Sequence, residues 1–166
     1  RMKEMSADNL SSKQLFDEGN EFLINDNYDD AINCYGQAIE KSGVEELDLL
    51  CEIYLARSHA FYKLKKGPEA LNDAVKAQEI RPDEPKGFLR RGMALFSLER
   101  FEEALKQFNE GNKRDAGLKK NLFTDWISKC EAKLPPPPPT PQPAKPIVEE
   151  EVHAQPAEPA KPPTVK

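Results

Sequence analysis

Few residues in this chain could do chemistry, and their spacing argues against catalysis. There are two histidines, His59 and His153, and three cysteines, Cys34, Cys51 and Cys130, in 166 residues. An active site needs a nucleophile beside a base, a pair of carboxylates, or a metal cluster within hydrogen-bond reach. His59 has no Cys or carboxylate at metal-ligand spacing in its own helical stretch, so it reads as a groove-lining or packing residue, and His153 lies in a proline-rich stretch. The cysteines are odd in number, stand in separate helical segments and lack metal or redox spacing, which predicts reduced, intracellular thiols. No glycine-rich phosphate-cradling loop is present. The expectation is a binding module with no catalytic residue, no metal ligand and no cofactor.

Composition sets where a core can form. Twelve of the fifteen prolines fall between Pro135 and Pro163. Segment 135–166 holds the unbroken run Pro135 to Pro139 and almost no large apolar side chain, so it cannot bury enough surface to offset its conformational entropy. It is expected to be a disordered linker, reaching on the order of 100 Å if fully extended at about 3.1 Å per residue. Net charge is −5, of which the tail supplies −1 (three Lys against four Glu), leaving −4 on the rest. That balance predicts no nucleic-acid partner. The absence of a run of apolar residues long enough to span predicts no membrane segment. No charged-then-apolar leader opens the chain, and Met5-Ser6 reads as a start, with residues 1–10 expected to be flexible.

What remains is a pattern written three times. Ala70 and Ala104 are 34 residues apart, each within an aromatic, small, bulky, Ala register: Tyr54, Phe61, Ala70, Ala74, Ala77, then Phe88, Gly92, Leu95, Ala104, Phe108, Gly111. Upstream, Leu15, Gly19, Phe22, Ala31, Tyr35 and Ala38 repeat it, with Ala31 and Ala70 separated by 39 residues, an insertion of five. This is the tetratricopeptide (TPR) pattern of paired helices. It predicts an all-α fold: three TPR hairpins in a right-handed α-solenoid with a C-terminal capping helix, over 11–134. The repeats fall at about 12–45, 51–84 and 85–118, with the capping helix at 118–134. Gly19, Ser58 and Gly92 are expected to be small because each hairpin's helices cross there, facing Ala31, Ala70 and Ala104, while Phe22, Phe61, Tyr35 and Phe108 fill the layers. Ser11 and Ser12 can cap a first helix running to about Asn25, and Tyr28 to Ser42 reads as the second. Val44 to Leu64 reads as one long third helix, its stripe starting at Leu47, Leu50, Ile53 and Tyr54. Gly67-Pro68 starts the next helix, and the third pair spans about Pro85–Leu98 and Phe101–Arg114. Phe123, Trp126 and Ile127 lie on one stripe of the last helix, which must cover the apolar side of the terminal repeat.

The array resembles co-chaperones of the carboxylate-clamp type, whose five inner-face residues grip the C-terminal Glu-Glu-Val-Asp of heat-shock chaperones. By that resemblance Asn20, Lys86 and Arg90 fill three positions, while Phe16 stands for a Lys and Ala56 for an Asn. Losing a cation and an amide is expected to weaken such binding by several kcal/mol, at roughly 1.5–3 kcal/mol each. Phe16, Leu55, Leu89 and Met93, with His59 beside them, suggest a groove suited to a more apolar ligand or filled by the protein itself.

A closer resemblance rests on Phe88-Leu89-Arg90-Arg91-Gly92, on Phe108 through Asp115, and above all on Phe123-Thr124-Asp125-Trp126-Ile127-Ser128-Lys129-Cys130-Glu131. These are similar to the N-terminal TPR domain of the Sgt-type co-chaperone, suppressor of a G-two allele of Skp, over about 11–133. The resemblance implies an adaptor without enzymatic activity. Its TPR domain would engage the Skp subunit of Skp–cullin–F-box ubiquitin ligases, and a further CS domain the 90-kDa heat-shock chaperone, in kinetochore assembly and immune-receptor stability. It implies a cytoplasmic location with the nucleus also open to it, and leaves a homodimer open. The competing expectation is a clamp module attached to a phosphatase or prolyl isomerase. Glu149-Glu150-Glu151-Val152 is like a chaperone tail but continues into His153, and Pro135 to Pro139 reads as a spacer rather than a docking motif.

Overall fold

The computed structural model of the chain describes residues 9–115 and 121–139. Among these described residues seven helices follow one another: α1 Ser12–Ile24, α2 Tyr28–Lys41, α3 Leu47–Lys63, α4 Gly67–Ile80, α5 Pro85–Ser97, α6 Phe101–Arg114 and α7 Leu122–Lys133. The chain divides into two compact units, Arg1–Pro135 and Pro136–Lys166. In the second, the described residues 136–139 are neither helix nor strand; the segment 140–166, with His153 and Glu149 to Val152, lies outside the described residues, as do 1–8.

Local chemistry sets the helix ends. Ser11 caps α1 in a capping box: its Oγ accepts from the Gln14 N–H at 3.2 Å, and the Gln14 side chain accepts from the Ser11 N–H at 2.9 Å. Pro68 and Pro85 sit in the first turns of α4 and α5, where the missing N–H costs nothing. The three hairpin turns share one geometry. Asp26, Lys65 and Glu99 adopt φ of 59°, 58° and 59°, and the next residue's N–H bonds back to Phe22, Phe61 and Leu95 carbonyls at 2.9 Å each.

Each hairpin closes over its small residues. A Cβ on Gly19 would stand 2.6 Å from Cε1 of Tyr35, and one on Gly92 2.7 Å from Cδ1 of Phe108, so these rings lie directly on bare backbone. Ser58 makes the same crossing in the middle repeat and donates its hydroxyl to the Ala70 carbonyl at 2.7 Å. Ala31, Ala70 and Ala104 are wholly buried. Beyond the hairpins, α1 packs on α3 and α3 on α5, while α2, α4 and α6 pack against the next odd-numbered helix. The odd-numbered helices therefore form the inner layer of an all-α TPR solenoid.

Two boundaries differ from the sequence expectation. α3 begins at Leu47 and not at Val44: the Glu46 carboxylate accepts from the Gly43 N–H at 3.0 Å and from the Ser12 hydroxyl at 3.0 and 2.9 Å, which holds 43–46 in a turn and ties the insert to α1. Val44 and Leu47 are accordingly 90% and 52% exposed, so the buried stripe of α3 starts at Cys51. The capping helix begins at Leu122, its expected start at 118–120 lying outside the described residues.

Candidate functional site: the inner face of the array

Three odd-numbered helices present the residues singled out above, and rotation about each helix decides which can meet a ligand. On α3, Ser58 and Cys51 face α4, the thiol of Cys51 donating to the Ala77 carbonyl at 3.5 Å. Leu55 lies on the same stripe, three and four residues away, and is buried with Cys51 and Ala77. It is a core residue between α3 and α4 and not part of the groove. Leu89 and Met93 on α5 are likewise packed into the core with Phe108 and Phe123, each 6% exposed. The expected apolar groove is therefore corrected. A helix face that must hold a neighbouring hairpin consumes its large aliphatics.

What stays on the inner face is polar. Arg90 of α5 reaches across to α3, its Nη1 2.9 Å from Nδ1 of His59 and 3.5 Å from Sδ of Met93. No carboxylate pairs with Arg90 among the described residues, and burial pulls its pKa down to about 10, so it remains charged at neutral pH. Burial first, and then the Arg90 and Lys63 charges, push the His59 pKa down to about 4. His59 is thus neutral at pH 7 and accepts from the guanidinium through Nδ1. Its ring stacks on Tyr62, one turn along α3, at 6.4 Å. Lys86, one turn before Arg90, is exposed. Asn20 of α1 accepts from the Tyr35 hydroxyl at 2.7 Å, which fixes its amide and leaves its N–H donors without a partner among the described residues. Phe16 is half-buried, 5.9 Å from the Tyr35 ring, and Ala56 is half-buried on α3.

The capping helix completes the inner layer. Phe123 is 1% exposed against Gly111, and Ile127 packs against the same cluster. Trp126 stacks on Phe108 at 5.4 Å, meets Phe96 edge-on at 5.4 Å and Tyr62 at 6.2 Å, with the Lys129 ammonium 4.4 Å over its ring. One side chain of α7 therefore touches rings from α3, α5 and α6. The thiols stay inert: burial raises the pKa of Cys34, Cys51 and Cys130, the last to about 11.

Sequence reasoning missed two features. Asp73, 1% exposed, takes a two-pronged bond from Arg57 at 2.7 and 2.8 Å, with the guanidinium lying over Tyr54 and Phe61. Tyr62 is the other, the ring that links His59 to Trp126. Arg57 and Asp73 are 16 residues apart and Tyr62 and Trp126 are 64 apart, separations at which no periodic signal joins them.

Stacked helical hairpins with an inner layer of this kind define a TPR domain, and no metal-ligand cluster occurs among the described residues. More particularly, the chain is similar to TPR-containing proteins of the STIP1 and small glutamine-rich types. It is 37% identical over 111 residues to the protein STIP1 homolog of Dictyostelium discoideum, a match covering 67% of this chain and 19% of that relative. It is 34% identical over 119 residues to the small glutamine-rich tetratricopeptide repeat-containing protein 2 of Mycosarcoma maydis, covering 69% of this chain and 32% of the relative. Among solved structures it superposes on the second TPR domain of human RPAP3 in complex with the HSP70 peptide SGPTIEEVD, with a TM-score of 0.62 and 29% identity over 73% of this chain and 92% of that one. The chain spans about a fifth to a third of the length of these curated relatives. No protein-family model matches it.

Proposed function

We propose that this chain is the TPR arm of a non-enzymatic co-chaperone adaptor whose inner face docks an acidic segment of a partner protein. The observation that carries this is Arg90, a largely desolvated cation held by a neutral imidazole and a thioether, with no carboxylate partner among the described residues. An incoming carboxylate regains the charge-assisted bonds that the fold withholds. Lys86 adds a second cation and Asn20 a pair of donors. Following the Sgt-type resemblance at residues 123–131, the partner is the Skp subunit of a cullin ubiquitin ligase, with the 90-kDa chaperone engaged through a further domain. That assignment carries with it a cytoplasmic and nuclear setting.

A second reading draws on the relatives. The human RPAP3 domain holds a chaperone peptide ending Ile-Glu-Glu-Val-Asp, and three of the five clamp positions survive here. The two readings separate in one titration. The chain should bind purified Skp at tens of micromolar or better, with Arg90→Ala weakening binding by on the order of tenfold, and should bind SGPTIEEVD weakly. Tight binding of that peptide with no binding of Skp would replace the first reading with a chaperone-tail clamp.

A further inference from the structure

A second recess opens where α3, α5 and α7 end. It is a cavity of about 550 Å³ whose floor is the rings of Tyr62, Phe96 and Phe101 and whose rim carries Lys63, Lys65 and Lys133. The floor is fixed from behind. Phe96 and Phe101 meet edge to face at 5.1 Å, and Trp126 braces both Phe96, at 5.4 Å, and Tyr62, at 6.2 Å. A rigid aromatic surface of this kind binds a side chain at little entropic cost.

The charge around it is positive. Most of the arginines are paired: Arg57 with Asp73, Arg81 with Asp48 and Glu52, Arg100 with Glu103, Arg114 with Glu110 and Asp83. Lys63, Lys65 and Lys133 are exposed and none makes an ion pair among the described residues. The one carboxylate on the rim is Glu99, so three lysines against one glutamate leave +2 there, on a chain whose net charge is −5.

We propose that this cavity docks a short acidic segment of a partner protein, a large apolar side chain seated on Tyr62, Phe96 and Phe101 and its flanking carboxylates on Lys63, Lys65 and Lys133. The net charge of −5 on the whole chain disfavours a long polyanion such as a nucleic acid, so a short segment is the fitting occupant. The site is separate from Arg90. Lys63 is one turn beyond His59 on α3 and Tyr62 stacks on the His59 ring, so the two recesses adjoin, but Arg90, Lys86 and Asn20 do not line this one, and the inference does not rest on the function proposed above.

The test uses the whole chain and its single tryptophan, Trp126, as reporter. The probe is the blocked peptide acetyl-Asp-Glu-Phe-Asp-Glu-amide, and Arg90→Ala separates binding in this cavity from binding on the inner face. Titration should give a saturable change in Trp126 emission, weakening as salt is raised from about 0.05 to about 0.5 M. Reversal of all three exposed lysines (Lys63→Glu, Lys65→Glu, Lys133→Glu) should lower affinity by more than about tenfold with the helical circular dichroism intact. A peptide with Ser in place of Phe should lose binding, and Arg90→Ala should leave it unchanged. No saturable binding up to about 1 mM, full affinity in the triple reversal, loss of binding in Arg90→Ala, or better competition by a short oligothymidylate would each overturn the proposal.

Discussion

The ring of Phe123 rests on the space a side chain at Gly111 would fill: a Cβ there would stand 2.7 Å from Cζ of that ring, and 2.9 Å from Cβ of Phe88 on its other flank. The repeats use the same device, Tyr35 on Gly19 and Phe108 on Gly92, but there the ring belongs to the second helix of a hairpin and the glycine to the first. In the cap the roles are exchanged, α6 supplying the bare backbone and α7 the ring. The cap thus docks on the third hairpin as the first helix of a fourth one.

Gly111→Ala should therefore destabilise the protein although alanine is the better helix former. Propensity favours the alanine by about 1 kcal/mol, whereas overpacking a ring that has no room to retreat costs about 1–3 kcal/mol. Chemical denaturation should show a net loss, and Trp126 emission should report it earlier than the backbone signal because α7 detaches first. A gain in stability would mean that α7 is loosely seated.

How far this was legible in the sequence follows from the range of the interactions. Gly19, Ala31, Ser58, Ala70, Gly92 and Ala104 make contacts inside one hairpin, within about 12 to 16 residues of their partners, and the repeat spells them out. Trp126 could be placed as a packing residue because an array must end in a cover. Leu55 and Leu89 were read onto the inner face beside Ala56 and Arg90, but one residue along a helix is a turn of about 100°. That is enough to send Leu55 and Leu89 into the interior. The start of α3 was displaced by the Ser12–Glu46 contact across 34 residues. The lysine-rimmed recess draws on four helices and leaves no pattern in any one of them.

Acid should weaken the fold through His59. Its folded pKa of about 4 lies below the ordinary 6.5, mainly from burial and then from the Arg90 and Lys63 charges. The unfolded chain therefore takes up the proton first as pH falls. Stability from this group is fully present above about pH 6.5 and is lost progressively toward pH 4. An NMR titration should find the His59 ring still neutral at pH 5, and His59→Gln should flatten the stability profile in that window. A His59 titrating near 6.5 would show that Arg90 does not hold it.

The hairpin turns can be improved. Lys65 and Glu99 sit at φ of 58° and 59°, a conformation that costs a residue bearing a Cβ about 1–2 kcal/mol. Glycine removes the strain while giving back some unfolded-state entropy. Glu99→Gly and Lys65→Gly should each raise stability by up to about 1 kcal/mol, visible as a higher Tm. Asp26→Gly should gain less, because aspartate tolerates this region better and its carboxylate accepts from the Tyr28 hydroxyl at 2.6 Å.

Restoring the two missing clamp groups is the sharpest test of what the inner face now prefers. Phe16→Lys with Ala56→Asn would place a cation and an amide beside Asn20, Lys86 and Arg90. At roughly 1.5–3 kcal/mol for each of the two charge-assisted bonds, with about 1.4 kcal/mol to each tenfold, affinity for SGPTIEEVD should rise by about two to four orders of magnitude. Phe16 packs 5.9 Å from Tyr35, so the variant should also lose some stability, and calorimetric binding must be read on a protein shown to be folded. Arg90→Ala in that background should abolish the gain. If the restored face gains nothing, Arg90 is locked by its 2.9 Å contact with His59, and His59→Ala added to the pair should release it. Failure of that triple variant to bind would show that the inner face is not shaped for a chaperone tail, and would leave the Skp reading as the better account of Arg90.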